Sequence, residues 1–144
     1  MMNYKNIHIG NIIQKTVVES GIESDRICNF FKCTEEEIKK MYLDANLSTD
    51  ILLKWCKLLE VDFFRMYCQH LILYAPVSPK FKKQKVNVSQ FRKNLYTKEM
   101  IDFILEQVNT REKTRQQIVV EYRIPKSTLY KWMSKYNVSS ELDE

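Results

Sequence analysis

"YRIPKSTLYKWMSKY", Tyr122 to Tyr136, is the stretch on which the reading of this chain turns. Pro125 fixes φ at a point where a helix can begin, and the residues after it keep a helical period. Leu129, Trp132, Met133 and Tyr136 lie three and four apart and share one face. The other face carries Ser127, Thr128, Tyr130, Lys131, Ser134 and Lys135, with Lys126 at its start and no carboxylate anywhere along it. The pattern predicts a helix over 126–136 with one face in a core and the other offering donors, an aromatic edge and positive charge. Ser127 and Thr128 suit phosphates or thymine methyls, while Tyr130 and Lys131 suit a major groove. An amphipathic helix with a merely solvated lysine face would show the same period.

Upstream of that helix, Thr114 and Gln117 have the spacing of a capping box and open a helix with Ile118, Val119 and Tyr122 inward. Arg123 and Ile124 make the tight turn to Pro125. Earlier still, Thr97 caps a helix whose Met100, Ile101, Ile104, Leu105 and Val108 form one stripe. Three helices within 96–140 predict a small homeodomain-like unit, followed by the acidic tail 141–144. Trp132 is expected in its core, packed on Ile118 and Leu105.

"IVVEYRIPKSTLYKWMSKY" resembles the helix-turn-helix of transposase-associated proteins encoded in the first frame of two-frame bacterial insertion sequences, and is similar to the DNA-binding domain of Hin-type recombinases. The residues that carry the likeness are Ile118, Val119, Ile124, Pro125, Ser127 to Tyr130, and Trp132. The resemblance implies recognition of terminal-repeat or operator DNA by Lys126–Lys135, in a bacterial, cytoplasmic, nucleoid-associated protein. Arg123 departs from the family, which often has glycine there; a left-handed arginine costs about 1 kcal/mol.

Between Tyr74 and Asn94 the composition changes, with two prolines, polar residues and a run of cations. Lys80, Lys82, Lys83, Lys85, Arg92 and Lys93 occur with no acid between them, a strip that a polyanion would neutralise by releasing counterions. A solvated tether is the plainer alternative, although Phe81 and Phe91 argue for some packing or stacking. The segment 77–95 is therefore expected to be a basic linker, possessing Phe as well as Lys. Charge divides across it: residues 1–76 hold 9 basic and 10 acidic side chains, a net of −1, whereas 77–144 hold 14 and 8, a net of +6.

Residues 1–76 are expected to form a five-helix domain. Ile9, Ile12, Ile13, Thr16 and Val17 share a face ahead of Gly21, and Ser24 precedes Ile27, Phe30 and Phe31. Thr34 and Glu37 form another capping box, Ser48 with Asp50 opens Ile51 to Leu59, and Phe63 to Tyr74 makes the fifth helix. The stretch "GNIIQKTVVESGIESDRICNFFKCTEEEIKKMYLDANLSTDILLKWCKLLEVDF" resembles the Cro and repressor type of helix-turn-helix domain, over roughly Ile7 to Phe64. That resemblance implies a base-reading helix at Thr34–Tyr42. Glu35, Glu36 and Glu37 stand where the family reads bases, and facing DNA they would be pressed toward phosphates. Direct DNA contact and a role in dimerisation or protein docking both remain open for this domain.

The 144 residues include only two glycines and three prolines, with 44% apolar, which favours an all-α chain: two small helix-turn-helix domains joined by a basic linker. No apolar run approaches the length of a membrane span, and no secretory signal opens the chain, so a soluble intracellular protein is expected. Cys28, Cys33, Cys56 and Cys68, with His8 and His70, complete no zinc pattern and are expected to be reduced thiols in or near the core. Paired carboxylates on a mixed sheet, a nucleophile triad and a phosphate-cradling glycine loop are all missing from the pattern, so no enzyme, cofactor or metal is expected. Any strand-transfer chemistry would fall to a separate catalytic transposase chain. The expected function is sequence-specific binding of double-stranded DNA as a transposition accessory. A transcriptional regulator whose N-terminal domain dimerises or docks a partner is the alternative. A protein-interaction module that binds no nucleic acid has the 12% aromatic content in its favour and the +6 half against it.

Overall fold

The computed structural model describes residues 3–76 and 95–136. The fold is all-α, with eight helices and no strand among the described residues: α1 (Ile9–Ser20), α2 (Ser24–Phe31), α3 (Glu35–Leu43), α4 (Thr49–Leu59), α5 (Phe64–Tyr74), α6 (Lys98–Asn109), α7 (Arg115–Tyr122) and α8 (Lys126–Lys135). None is long and apolar enough to cross a membrane. The basic strip from Lys80 to Lys93 and the acidic tail lie outside the described residues.

Two compact units result, one of Asn3–Tyr67 and a second that begins at Cys68. The division falls inside α5, not in the 77–95 segment where the composition changes. The second half of α5 is committed to the C-terminal helices: Gln69 Nε2 donates to Thr97 Oγ1 at 3.2 Å, and the Tyr74 ring meets that of Tyr122 at 5.8 Å. Apolar side chains at both ends of α5 allow this. Phe64 and Tyr67 serve the N-terminal core, and Ile72 and Leu73 are buried further along.

The N-terminal unit closes over Ile9, Ile13, Ile27, Ile38, Leu52, Trp55 and Phe63. Trp55 lies against Phe31 and Tyr42, with ring centroids at 4.6 and 5.9 Å. Its indole Nε1 is buried with no hydrogen-bond partner among the described residues, so the packing around it must offset a desolvation cost of about 1–3 kcal/mol. The first turn of α1 docks on the last turn of α3. The N–H groups of Ile9 and Gly10, free of partners within their own helix, donate to Ala45 and Asp44 carbonyls at 3.2 and 3.1 Å. Gly10 permits the approach, since a Cβ there would lie 2.4–2.5 Å from the carbonyl oxygens of Met41, Tyr42 and Asp44.

Caps set the helix ends. Thr34, Ser48, Thr97 and Thr114 each accept from an N–H in the first turn that follows, and Thr34 and Thr114 belong to complete capping boxes. In helix α2, Ser24 is the first residue, and the cap position is Glu23, which makes no side-chain cap bond. Left-handed residues end α1, α2, α4 and α7, at Gly21, Lys32, Glu60 and Arg123.

In the C-terminal unit, Met100, Ile104, Leu105, Ile118, Tyr122, Ile124, Leu129 and Met133 are buried. Trp132 is not part of this set. It is half-buried and packs edge-on against Tyr96, with centroids 5.0 Å apart. Helical spacing had put Trp132 with Leu129 and Met133, but the edge of a stripe reaches only the rim of a unit this small.

Candidate nucleic-acid interface

Helix α8 is positioned by a three-residue connection from α7. Arg123 takes the left-handed conformation at φ 52°, Ile124 is buried as an anchor, and Pro125 holds the position before the first helical residue. The Pro125 carbonyl then accepts from Thr128 and Leu129 N–H at 2.9 and 3.1 Å, which starts the helix. Leu129 and Met133 fasten one face to the core. Lys126, Ser127, Tyr130, Lys131, Ser134 and Lys135 are exposed, and Thr128 is half-buried. The expected outward face is thus assembled, with Thr128 set back from it.

A partly buried polar network backs the helix before the turn. Tyr122 Oη donates to Gln107 Oε1 at 3.0 Å, and Lys113 Nζ donates to Tyr122 Oη at 3.2 Å and to Glu121 Oε2 at 2.6 Å. Gln107 is buried at the end of α6, so a polar side chain there is tolerable only because Tyr122 and the Phe103 carbonyl satisfy it. Burial alone would lower the pKa of the Lys113 ammonium, but the bonds to Glu121 and Tyr122 outweigh burial and hold it above its ordinary value. Burial, with a hydrogen bond to Tyr122, also raises the pKa of the Tyr74 phenol.

Beside the exposed face, the first turn of α7 joins α8. Arg115 and Lys126 place their cationic ends 5.5 and 5.6 Å from the centre of the Tyr130 ring. The three residues line a depression of about 560 Å³ with Thr114, Gln116 and Val119. Among the described residues its lining contains no carboxylate. Sequence patterning missed Arg115, because Thr114 and Gln117 drew the first turn of α7 into a cap and the contact with Tyr130 joins two helices. The two residues are fifteen positions apart on different helices, so no local period in the sequence signals the contact.

The corresponding end of α3 is different. Glu35, Glu36 and Glu37 fill its first turn and are exposed. Glu37 accepts from the Thr34 N–H at 2.8 Å, and that bond with the Thr34 hydroxyl holds its carboxyl below the ordinary range. Glu35 pairs with Lys39 at 3.4 Å on the surface. Of the cysteines, Cys28, Cys33 and Cys56 pack against the N-terminal core while Cys68 is exposed, and burial with nearby Glu37 raises the pKa of the Cys33 thiol. Among the described residues, no three His, Cys, Asp or Glu side chains converge in a way that would hold a metal ion.

Compared with known proteins, the chain matches no family model, no curated protein and no solved structure.

Proposed function

We propose that this chain binds double-stranded DNA sequence-specifically, with α8 in the major groove, as a transposition accessory that has no catalytic centre of its own. The observation that carries the proposal is the exposed face of α8. It is cationic, rich in hydroxyls and free of acids, and it continues onto Arg115 at the start of α7. Such a face gains by releasing counterions from phosphates, and Ser127, Tyr130 and Lys131 stand where base edges would be reached. The Lys80–Lys93 strip adds affinity without sequence preference. The likeness of Ile118–Tyr136 to insertion-sequence helix-turn-helix segments supports transposon ends as the target, with a separate transposase chain supplying the chemistry.

The N-terminal unit serves to pair subunits or dock a protein partner, and under that reading the chain is a transcriptional regulator as readily as a transposition accessory. The carboxylates at the start of α3 favour this division of labour, since they sit where a base-reading helix would face phosphates.

Selection of bound sequences from a random duplex pool with the full chain tests the proposal. A single enriched motif is expected, and Lys131→Ala should weaken it by about 1–3 kcal/mol with the helical signal retained. Lys39→Gln with Lys40→Gln on α3 should leave affinity unchanged. Absence of any enriched duplex refutes DNA reading, and a loss confined to the α3 variant transfers it to the N-terminal unit.

A further inference from the structure

Helix α8 contains no Asn, Gln, Arg, Asp or Glu. The side chains that pair with adenine through two hydrogen bonds, or that accept from cytosine, are therefore lacking, and Lys is the one remaining partner for guanine O6 and N7. Hydroxyl groups bond any base. Beside lysine on guanine, the helix has apolar contact left for discrimination, and the major groove offers one apolar group of its own, the C5-methyl of thymine.

One exposed side chain on α8 is built for that contact. Tyr130 is 39% exposed, and its ring with half-buried Val119 supplies the apolar part of the depression whose other members are Thr114, Arg115, Gln116 and Lys126. Arg115 and Lys126 keep their charges 5.5 and 5.6 Å from the ring centre. An apolar patch of this size edged by two cations matches a nucleotide, with a methylated base edge on the ring and the adjoining phosphate on the cations.

We infer that Tyr130 selects a thymine through its C5-methyl group, while Arg115 and Lys126 hold the phosphate beside it. This inference rests on the DNA-binding proposal and deepens it. Specificity at this base pair is then a matter of one methyl group, so preference for thymine over uracil is the direct readout.

The test uses the full chain and the duplex enriched from the random pool, with each thymidine replaced in turn by deoxyuridine at fixed salt. At one position the affinity should fall about fourfold, the value of one methyl removed from water. Tyr130→Ala should abolish that sensitivity, so that thymine and uracil duplexes bind this variant alike, and Tyr130→Phe should preserve it. Arg115→Ala should weaken both duplexes by the same factor, because a phosphate contact is blind to the methyl. Binding that ignores every replacement, or a uracil effect that survives in Tyr130→Ala, overturns the inference while leaving DNA recognition intact. Failure to enrich any duplex overturns the underlying proposal and this inference with it.

Discussion

Replacing Gly10 by alanine should unfold the N-terminal unit at markedly lower denaturant. The added Cβ would lie 2.4 Å from the Met41 carbonyl oxygen and 2.5 Å from those of Tyr42 and Asp44, against an ordinary contact range that begins at 3.4 Å. These atoms are backbone and cannot rotate away, so α1 must recede from α3 by about 1 Å. That movement stretches the Ile9 and Gly10 N–H bonds beyond useful length and loosens Ile9 and Ile13 in the core. Two lost hydrogen bonds at about 1 kcal/mol each and about 1–3 kcal/mol of overpacking, less about 1 kcal/mol of improved helix propensity, leave a net destabilisation of about 2–4 kcal/mol. Urea titration of Trp55 emission in a Trp132→Phe background measures it, since the chain has two tryptophans and Trp55 is buried in this unit. The midpoint should fall with little change in slope. An unchanged or raised midpoint would refute the claim that α1 and α3 are locked together through Gly10.

Three further outcomes are expected. Glu37→Gln should keep the α3 cap, as Gln117 does for α7, but remove a pH dependence: a carboxyl whose pKa is depressed on folding contributes stability above its ordinary value of 4.5 and loses it as pH falls below that value, so the wild-type midpoint should drop more steeply in acid than that of the variant. Tyr122→Phe should cost about 1–3 kcal/mol by stranding buried Gln107 Oε1, read as a lower melting temperature of the C-terminal unit; no shift would mean that the network is decorative. Leu129→Ala should cost about 2–5 kcal/mol and Trp132→Ala less, because Leu129 is fully buried while Trp132 sits at the rim on Tyr96; the reverse order in thermal melts would return Trp132 to the core.

The helices were legible because their signals are local. Thr34 with Glu37, Thr114 with Gln117, and Gly21 after an apolar stripe each mark an end within four residues, and the structure places helix ends at all of them. Arg123 takes the left-handed conformation at the position where the segments it resembles often have glycine. What stayed hidden depends on distant partners. The allegiance of Gln69 and Tyr74 is decided by Thr97 and Tyr122, and nothing in the periodicity of α5 points across that separation. Gln107 looks like a solvent-facing polar residue until Tyr122 is placed against it. Arg115 belongs to the candidate site only through Tyr130, fifteen positions on. Gly10 lacked any turn signal, and its role arises solely from the close passage of another helix.

The two capping boxes share one geometry, with 2.8 Å from the threonine N–H to the side-chain oxygen, and they differ by a single formal charge. For the backbone this difference is immaterial. For the electrostatic field outside the helix it is one part of a larger contrast. The first turn of α3 adds three carboxylates to a helix end, whereas the first turn of α7 has none and leaves the positive end of its dipole uncompensated beside Arg115. Within a screening length of about 8 Å, an approaching polyanion is repelled from one helix start and drawn to the other. On the proposed DNA-binding reading, three acids in one first turn and none in the other would bias first encounters toward the start of α7.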